Sequence, residues 1–397
     1  MTEPGEVVRV ATRGDGVTFD GRYVPLTAPG DFVDPDGGIT RGSHHQNPPC
    51  RHFPICGGCT LQHLDDASYG RFIVDRITGA LGEQGIALPT IDPPRLSPPR
   101  TRRRISLRAE KRGRAVTIGF NEAGTHRIVD MRECHIMLPE LFALVAPLRM
   151  LLGAIAPAGV RMTITATRVD QGVDLLIAGL RVDSYEAHQA LSDFATAQSL
   201  ARLSVDEGDG PTVRHAPHTP TITLGGVPVA LPEGAFLQAT AEGEAALVDS
   251  VARSLASAGR VVDLFAGLGT FAIPLDRPVL AVEGIRDVAL ALGSAARSAR
   301  KPVEVEHRDL FRRPLAASEL ARFDAAVLDP PRAGAAAQIA KLARSSIAGI
   351  AYVSCNPATF ARDAAVLIAA GYRLERITPV GQFRWSTHVE LCASFRR

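Results

Sequence analysis

The sequence predicts an α/β protein whose C-terminal part, residues 236–397, forms a doubly wound, Rossmann-like sheet. Three observations carry this prediction. From about residue 240 the chain alternates apolar strand, turn and helix. Residues 260–270 (R-V-V-D-L-F-A-G-L-G-T) run a buried strand into a glycine-rich turn, and a helix is expected to open at Phe271. Acidic residues then stand at successive strand ends, with D-P-P-R closing the fourth. Upstream, residues 46–235 read as a mixed α+β domain and residues 1–45 as a short β segment.

Composition supports a globular chain. Of 397 residues, 46% are hydrophobic and 22% charged, enough to bury a sizeable core. The most apolar run, around 136–160, is broken by Glu140, Arg149 and the prolines at 139, 147 and 157, so no membrane span is expected. Residues 1–20 carry Glu3, Glu6 and Asp15 without an apolar stretch, so no secretory leader is expected and a cytoplasmic location is. A formal net charge of +2 excludes a uniformly basic nucleic-acid binder. The cations are nevertheless clustered. Residues 95–114 hold Arg95, Arg100, Arg102, Arg103, Arg104, Arg108, Lys111, Arg112 and Arg114 against one acid, Glu110. Such a run is either a solvated strand face or a phosphate-contacting stripe. Residues 205–220 read as an exposed loop.

The six cysteines are grouped. Cys50, Cys56 and Cys59 form C-x5-C-G-G-C in a loop rich in Pro and Gly, and Cys134 follows far downstream. In a reducing compartment three thiols within ten residues point to a metal site rather than to disulfides. Zinc and a 4Fe–4S cluster both take four thiolates. The spacing suits a cluster better, since zinc knuckles come as two short-spaced pairs; zinc stays the alternative. A radical S-adenosylmethionine enzyme would space its cysteines C-x3-C-x2-C. His52 and His63 lie close by but read as hydrogen-bonding residues.

In the C-terminal half, V-L-A-V-E places Glu283 at a strand tip about 20 residues after Asp263, where an acid hydrogen-bonds ribose hydroxyls. Asp309 ends the next strand, near an expected adenine, and Asp329 leaves the fourth. Acidic strand ends with D-P-P at the fourth are what a class I methyltransferase sheet presents at its switch point. Arg332 after D-P-P, in place of a stacking aromatic, speaks against adenine N6 methylation. In I-A-Y-V-S-C-N-P, Asn356 suits a helix N-cap and Pro357 a first helical position. Cys355 then sits at a helix N-terminus, where the dipole is expected to lower its pKa. Glu390 lies on a closing strand beside His388, and Cys392 reads as core packing.

A thiol and a carboxylate in these places fit one demanding reaction. Carbon 5 of uracil is a poor nucleophile until a thiolate adds at carbon 6 and gives carbon 5 enolate character. After methylation a base must remove the carbon-5 proton so that the thiolate can leave. Cys355 would be the nucleophile and Glu390 the base, acting on a nucleotide flipped from its stack.

At this point the chain resembles the RNA uracil-5-methyltransferases, in particular the iron–sulfur branch that modifies bacterial ribosomal RNA. The resemblance rests on C-x5-C-G-G-C at 50–59, I-V-D-M-R-E-C ending at Cys134, and G-A-F-L-Q ending at Gln238. It continues through D-L-F-A-G-L-G-T-F, D-P-P-R-A-G, S-C-N-P-A-T-F-A-R-D and T-H-V-E. It implies S-adenosylmethionine as methyl donor, contacted by Gln238, Phe265, Glu283, Asp309 and Asp329. It implies Cys355 as nucleophile, Glu390 as proton acceptor, and a 4Fe–4S cluster held by Cys50, Cys56, Cys59 and Cys134. It also implies RNA as partner, ribosomal RNA first, and the chain is expected to act as a monomer. Residues 6–36 resemble the opening strands of a TRAM barrel, whose later strands are missing before Cys50, so residues 1–45 are expected as a shortened TRAM-like segment. The alternatives left by the residues are a 5-methylcytidine methyltransferase, which shares the thiolate addition, and a non-catalytic iron–sulfur RNA-binding protein.

Overall fold

The computed structural model describes residues 3–397, so the expected segment 1–45 begins with two residues outside the described ones. The chain divides into two compact units that interleave along the sequence. One comprises the chain up to Tyr69 with Pro98–Thr221 and Arg384–Thr387; the other comprises Gly70–Ser97, Ile222–Phe383 and His388–Arg397.

The second unit is built on a parallel sheet whose central strands show no polar alternation. β1 (Val261–Leu264), β2 (Val279–Glu283), β3 (Val303–His307), β4 (Ala325–Leu328) and β5 (Gly349–Ser354) pair in parallel, in the order 3-2-1-4-5. β1, β4 and β5 are buried at every position, as strands covered on both faces must be. β6 (Arg373–Gly381) and β7 (Glu390–Arg396) continue the sheet in the order 5-7-6, with β7 antiparallel to both neighbours. Thr90–Ile91 and Arg95–Leu96 pair in parallel with β6 at the edge. The order reverses between β1 and β4, and the carboxyl ends of these strands form the crevice where such sheets bind ligands.

One expected element is absent. Residues 271–275 form turns rather than a helix, although Ile273 N–H still donates to Gly269 O at 3.0 Å. Pro274 lacks an N–H and Asp276 takes a left-handed φ of 47°, which stops the segment before a second helical turn.

The first unit carries a six-stranded sheet in the order Pro211–His215, Arg202–Asp206, Gly172–Ala178, Arg161–Val169, Arg104–Arg112, Ala115–Gly119. All pairs are antiparallel except Gly172–Ala178 with Arg202–Asp206, which the helix Tyr185–Ala197 connects. Pro211–His215 lies within the expected loop 205–220: the segment is largely exposed, but part of it pairs as an edge strand. Along Arg104–Arg112, Ile105, Leu107 and Ala109 point into the core while Arg108 and Arg112 are exposed. The arginine run therefore splits. Arg103 is buried, Lys111 donates to Gly153 O and Ala156 O at a helix end, and Arg112 pairs with Glu110. Near the N-terminus Val7–Val10, Gly16–Thr18 and Tyr23–Val24 form a three-stranded antiparallel sheet, and Phe32–Val33 pairs with Ile39–Thr40.

Candidate active site

Cys355 follows β5 directly and precedes the helix Pro357–Ala369. Asn356 is the N-cap, its side chain accepting the Ala358 N–H at 3.1 Å, and Pro357 occupies the first turn. The same motif ties down the D-P-P-R-A-G loop. Asn356 Nδ2 and Thr359 Oγ1 donate to Arg332 O at 3.2 and 3.3 Å, and Asp363 accepts the Ala335 N–H at 2.9 Å and the Tyr352 hydroxyl at 2.7 Å. Gly334 is obligatory here. It has φ +81°, and a Cβ would lie 2.6 Å from the Arg362 guanidinium and 2.8 Å from Asp363.

Cys355 is half-buried, and its thiol pKa is raised rather than lowered. Burial contributes most, followed by the charges of Glu390 and Asp329; Arg332 opposes them. The helix-terminus argument from the sequence is thus outweighed by burial, with two carboxylates brought in from β7 and the end of β4 adding to it. Glu390, at the start of β7, is 4% exposed, and burial together with the Asp329 charge raises its pKa well above the usual carboxylate range. Burial pushes Asp329 up to about 7, with Gln238 holding it down. His388 is exposed and Cys392 buried.

The other predicted residues lie along the strand ends. Glu283 accepts two backbone N–H groups, Gly267 at 2.8 Å and Ile285 at 2.7 Å, which pins its carboxylate beneath the glycine turn. Phe265 has φ +64° at the end of β1, and its ring centroid lies 5.4 Å from that of Phe311. Asp309 uses Oδ1 to accept the Phe311 and Arg312 N–H groups and shapes the turn after β3, with its side chain 45% exposed. Gln238 is 2% exposed and donates from Nε2 to Asp329 Oδ2 at 3.2 Å.

Three residues were missed in the sequence. Asp263, on β1, is fully buried, and neither carboxylate oxygen has a hydrogen bond of regular geometry, although the Ala272 amide bears on it. Its pKa is raised by burial and then by the charges of Asp329 and Glu283, which favours the neutral acid. Phe311 is half exposed beside Phe265, a flat apolar surface at the end of β3. Gln382 bridges Gln238 and Glu390.

In the first unit, Cys50, Cys56, Cys59 and Cys134 line one cavity with Phe120 and Ile136 among its apolar walls. Both glycines of C-G-G-C press against the strand end: a Cβ on Gly57 would lie 2.9 Å from Asn121 O, and one on Gly58 2.9 Å from the Phe120 ring. Burial raises all four thiols, Cys59 to about 12, and Arg102 favours the Cys134 thiolate. His52 Nε2 accepts the Arg132 N–H at 2.9 Å, and His63 Nε2 lies 3.2 Å from Thr27 O. Among the described residues, no three His, Cys, Asp or Glu side chains converge closely enough to hold a single metal ion. Nor, among them, is any helix long and apolar enough to cross a membrane.

Comparison with known proteins identifies relatives of the whole chain. Residues 295–397 match the family model described as tRNA (uracil-5-)-methyltransferase. An uncharacterised RNA methyltransferase of Zymomonas mobilis is 48% identical over 395 residues, covering 99% of each chain. The 23S rRNA (uracil(1939)-C(5))-methyltransferase RlmD of Pectobacterium atrosepticum is 31% identical over 376 residues, covering 90% of this chain and 81% of that one. The fold matches the Pyrococcus abyssi tRNA (uracil-54, C5)-methyltransferase, crystallised with S-adenosyl-L-homocysteine, at a TM-score of 0.76 over 98% of both chains, with 21% identity. This chain belongs to the RNA (uracil-5-)-methyltransferase family.

Proposed function

We propose that the protein methylates carbon 5 of a uridine in RNA, with 23S ribosomal RNA as substrate, through a covalent bond between Cys355 and the base. The observation that carries this reading is the meeting of Cys355, Glu390 and Asp329 at the carboxyl ends of β4 and β5 and the start of β7. The RlmD relative supports the ribosomal substrate.

S-adenosylmethionine, when bound, supplies an electrophilic methyl group on a sulfonium. Glu283, pinned by two backbone amides, suits ribose hydroxyls, and Phe265 with Phe311 suits an adenine face. Gln238, Asp309 and Asp329 complete the set. Cys355 Sγ bonds carbon 6, breaking the 5,6 double bond, and carbon 5 takes the methyl as its bond to sulfur breaks. Glu390 accepts the carbon-5 proton, the double bond re-forms and the Sγ–C6 bond breaks. The Cys355 thiol gives its proton to solvent before the attack; Arg332 favours the resulting thiolate, while burial and the charges of Glu390 and Asp329 oppose it.

The four-thiol cavity fits a 4Fe–4S cluster held by Cys50, Cys56, Cys59 and Cys134. Its four sulfur donors line one cavity with apolar walls, and four thiolates are the ligand set such a cluster takes. Protein purified without oxygen is expected to carry about four irons and matching sulfide; one zinc per chain overturns this assignment.

Nucleoside mass spectrometry of RNA incubated with the protein tests the reaction. Wild type is expected to produce 5-methyluridine and Cys355→Ala none. Production of 5-methylcytidine transfers the reading to cytidine, and full turnover by Cys355→Ala ends it.

A further inference from the structure

Glu390 is held by a side chain that none of the motifs above contains. Gln382 follows the last residue of β6 and is 1% exposed. Its Oε1 accepts the Ala239 N–H at 2.8 Å, and that one backbone bond settles which end of the amide is oxygen. Its Nε2 therefore faces the other way, donating to Gln238 Oε1 at 2.7 Å and to Glu390 Oε2. Gln238 is settled in turn and donates to Asp329 Oδ2 at 3.2 Å. Two amides in series thus give one donor to each of two carboxylates, buried Glu390 and partly buried Asp329, in a register set by a main-chain group.

The seat for this side chain is built. In the first turn of the helix Ala241–Ser254, Gly243 leaves room for the Gln382 stem; a Cβ there would lie 2.6 Å from Gln382 Cβ and 2.8 Å from Thr240 Oγ1. Thr240 Oγ1 cannot move aside freely, because it accepts the Gly243 N–H and lies 2.7 Å from Ser97 Oγ.

We propose that Gln382 is a positioning residue for proton removal, holding Glu390 by Oε2 so that Oε1 is presented to the proton on carbon 5. The proposal rests on the function proposed above and deepens it. An N–H donor aimed at a carboxylate favours its ionised, proton-accepting form. A bond fixed at one oxygen also limits rotation of the group, so the other oxygen keeps its heading while the adduct forms. Gln382 acts through Glu390, so its loss slows the step that Glu390 performs and spares the earlier bond formation by Cys355.

The test uses the full-length protein, an RNA transcript carrying the target uridine, and S-adenosylmethionine with a radiolabelled methyl group. Denaturing gels separate labelled protein–RNA adduct from released methylated RNA. Gln382→Met and Gly243→Ala are both expected to form labelled adduct at the wild-type rate and to release RNA at least about tenfold more slowly. Gly243→Ala displaces Gln382 without changing it, so it decides the matter if Gln382→Met does not fold. Wild-type release by the folded variants overturns the proposal, as does an equal slowing of adduct formation and release. Undiminished methylation by Cys355→Ala is a different failure: it removes the covalent mechanism itself.

Discussion

Cys59 and Cys355 are thiols pushed up in pKa chiefly by burial, yet they sit in opposite surroundings. Around Cys59 stand Cys50, Cys56 and Cys134, apolar walls and the cation Arg102, and each thiolate formed makes the next harder to form. Around Cys355 stand two carboxylates and the cation Arg332, on a loop end that hydrogen bonds hold to the D-P-P-R turn. Four sulfurs gathered around one cavity suit a resident metal centre. A single sulfur among groups that trade protons suits a transient bond. Neighbours, more than burial, decide which use a buried thiol has.

The largest effect expected on this contrast is at the proton acceptor. Glu390→Gln keeps the shape of the site but cannot take the proton, so turnover should fall about 10²–10⁴-fold with covalent RNA adduct accumulating on gels. Rapid release of product would place the base elsewhere. Next comes Cys134→Ser, which removes one sulfur from the other region. It should lose bound iron and lower the melting temperature, measured by metal analysis and calorimetry, while Cys355→Ser leaves both unchanged.

Smaller and more discriminating is the alkylation of Cys355 by iodoacetamide, followed by peptide mass spectrometry against pH. Glu390→Gln and Asp329→Asn each remove a charge that raises the thiol, so the alkylation midpoint should move to lower pH; Arg332→Ala should move it higher. The smallest effect is on stability. Asp329 rises from 3.8 to about 7 on folding, so the stability of its buried neutral form is complete below pH 4 and lost as pH climbs through 7. Asp329→Asn should therefore unfold like wild type at pH 4 and be more stable by about 1–3 kcal/mol at pH 8. Equal stability at both pH values would place Asp329 in contact with solvent.

Much of the second unit was legible because its grammar is local. Asn356 and Pro357 announce a helix start, D-P-P a strand end, and V-L-A-V-E a buried strand closed by an acid; the structure has each in its place. The helix expected at Phe271 failed because Pro274 and Asp276 cut the segment short, a local conflict that the glycine pattern overshadowed. Non-local features stayed hidden. Gln382 lies just past a strand end, and its partners stand eight and 144 positions away. Asp263 reads as a polar interruption in an apolar strand until β2 and β4 flank it with Glu283 and the residue after Leu328. The raised pKa of Cys355 is hidden for the same reason: the helix dipole is written in adjacent residues, whereas burial and the opposing carboxylates arrive only with folding.

The covalent bond to the base can be caught directly with RNA in which 5-fluorouridine replaces uridine, since fluorine at carbon 5 leaves no proton for Glu390 to remove. After incubation with S-adenosylmethionine and proteolysis, a nucleotide attached to the peptide containing Cys355, carrying the added methyl, is the predicted result. Methylation of ordinary RNA with no adduct on the fluorinated RNA, or an adduct at any other residue, would contradict the account.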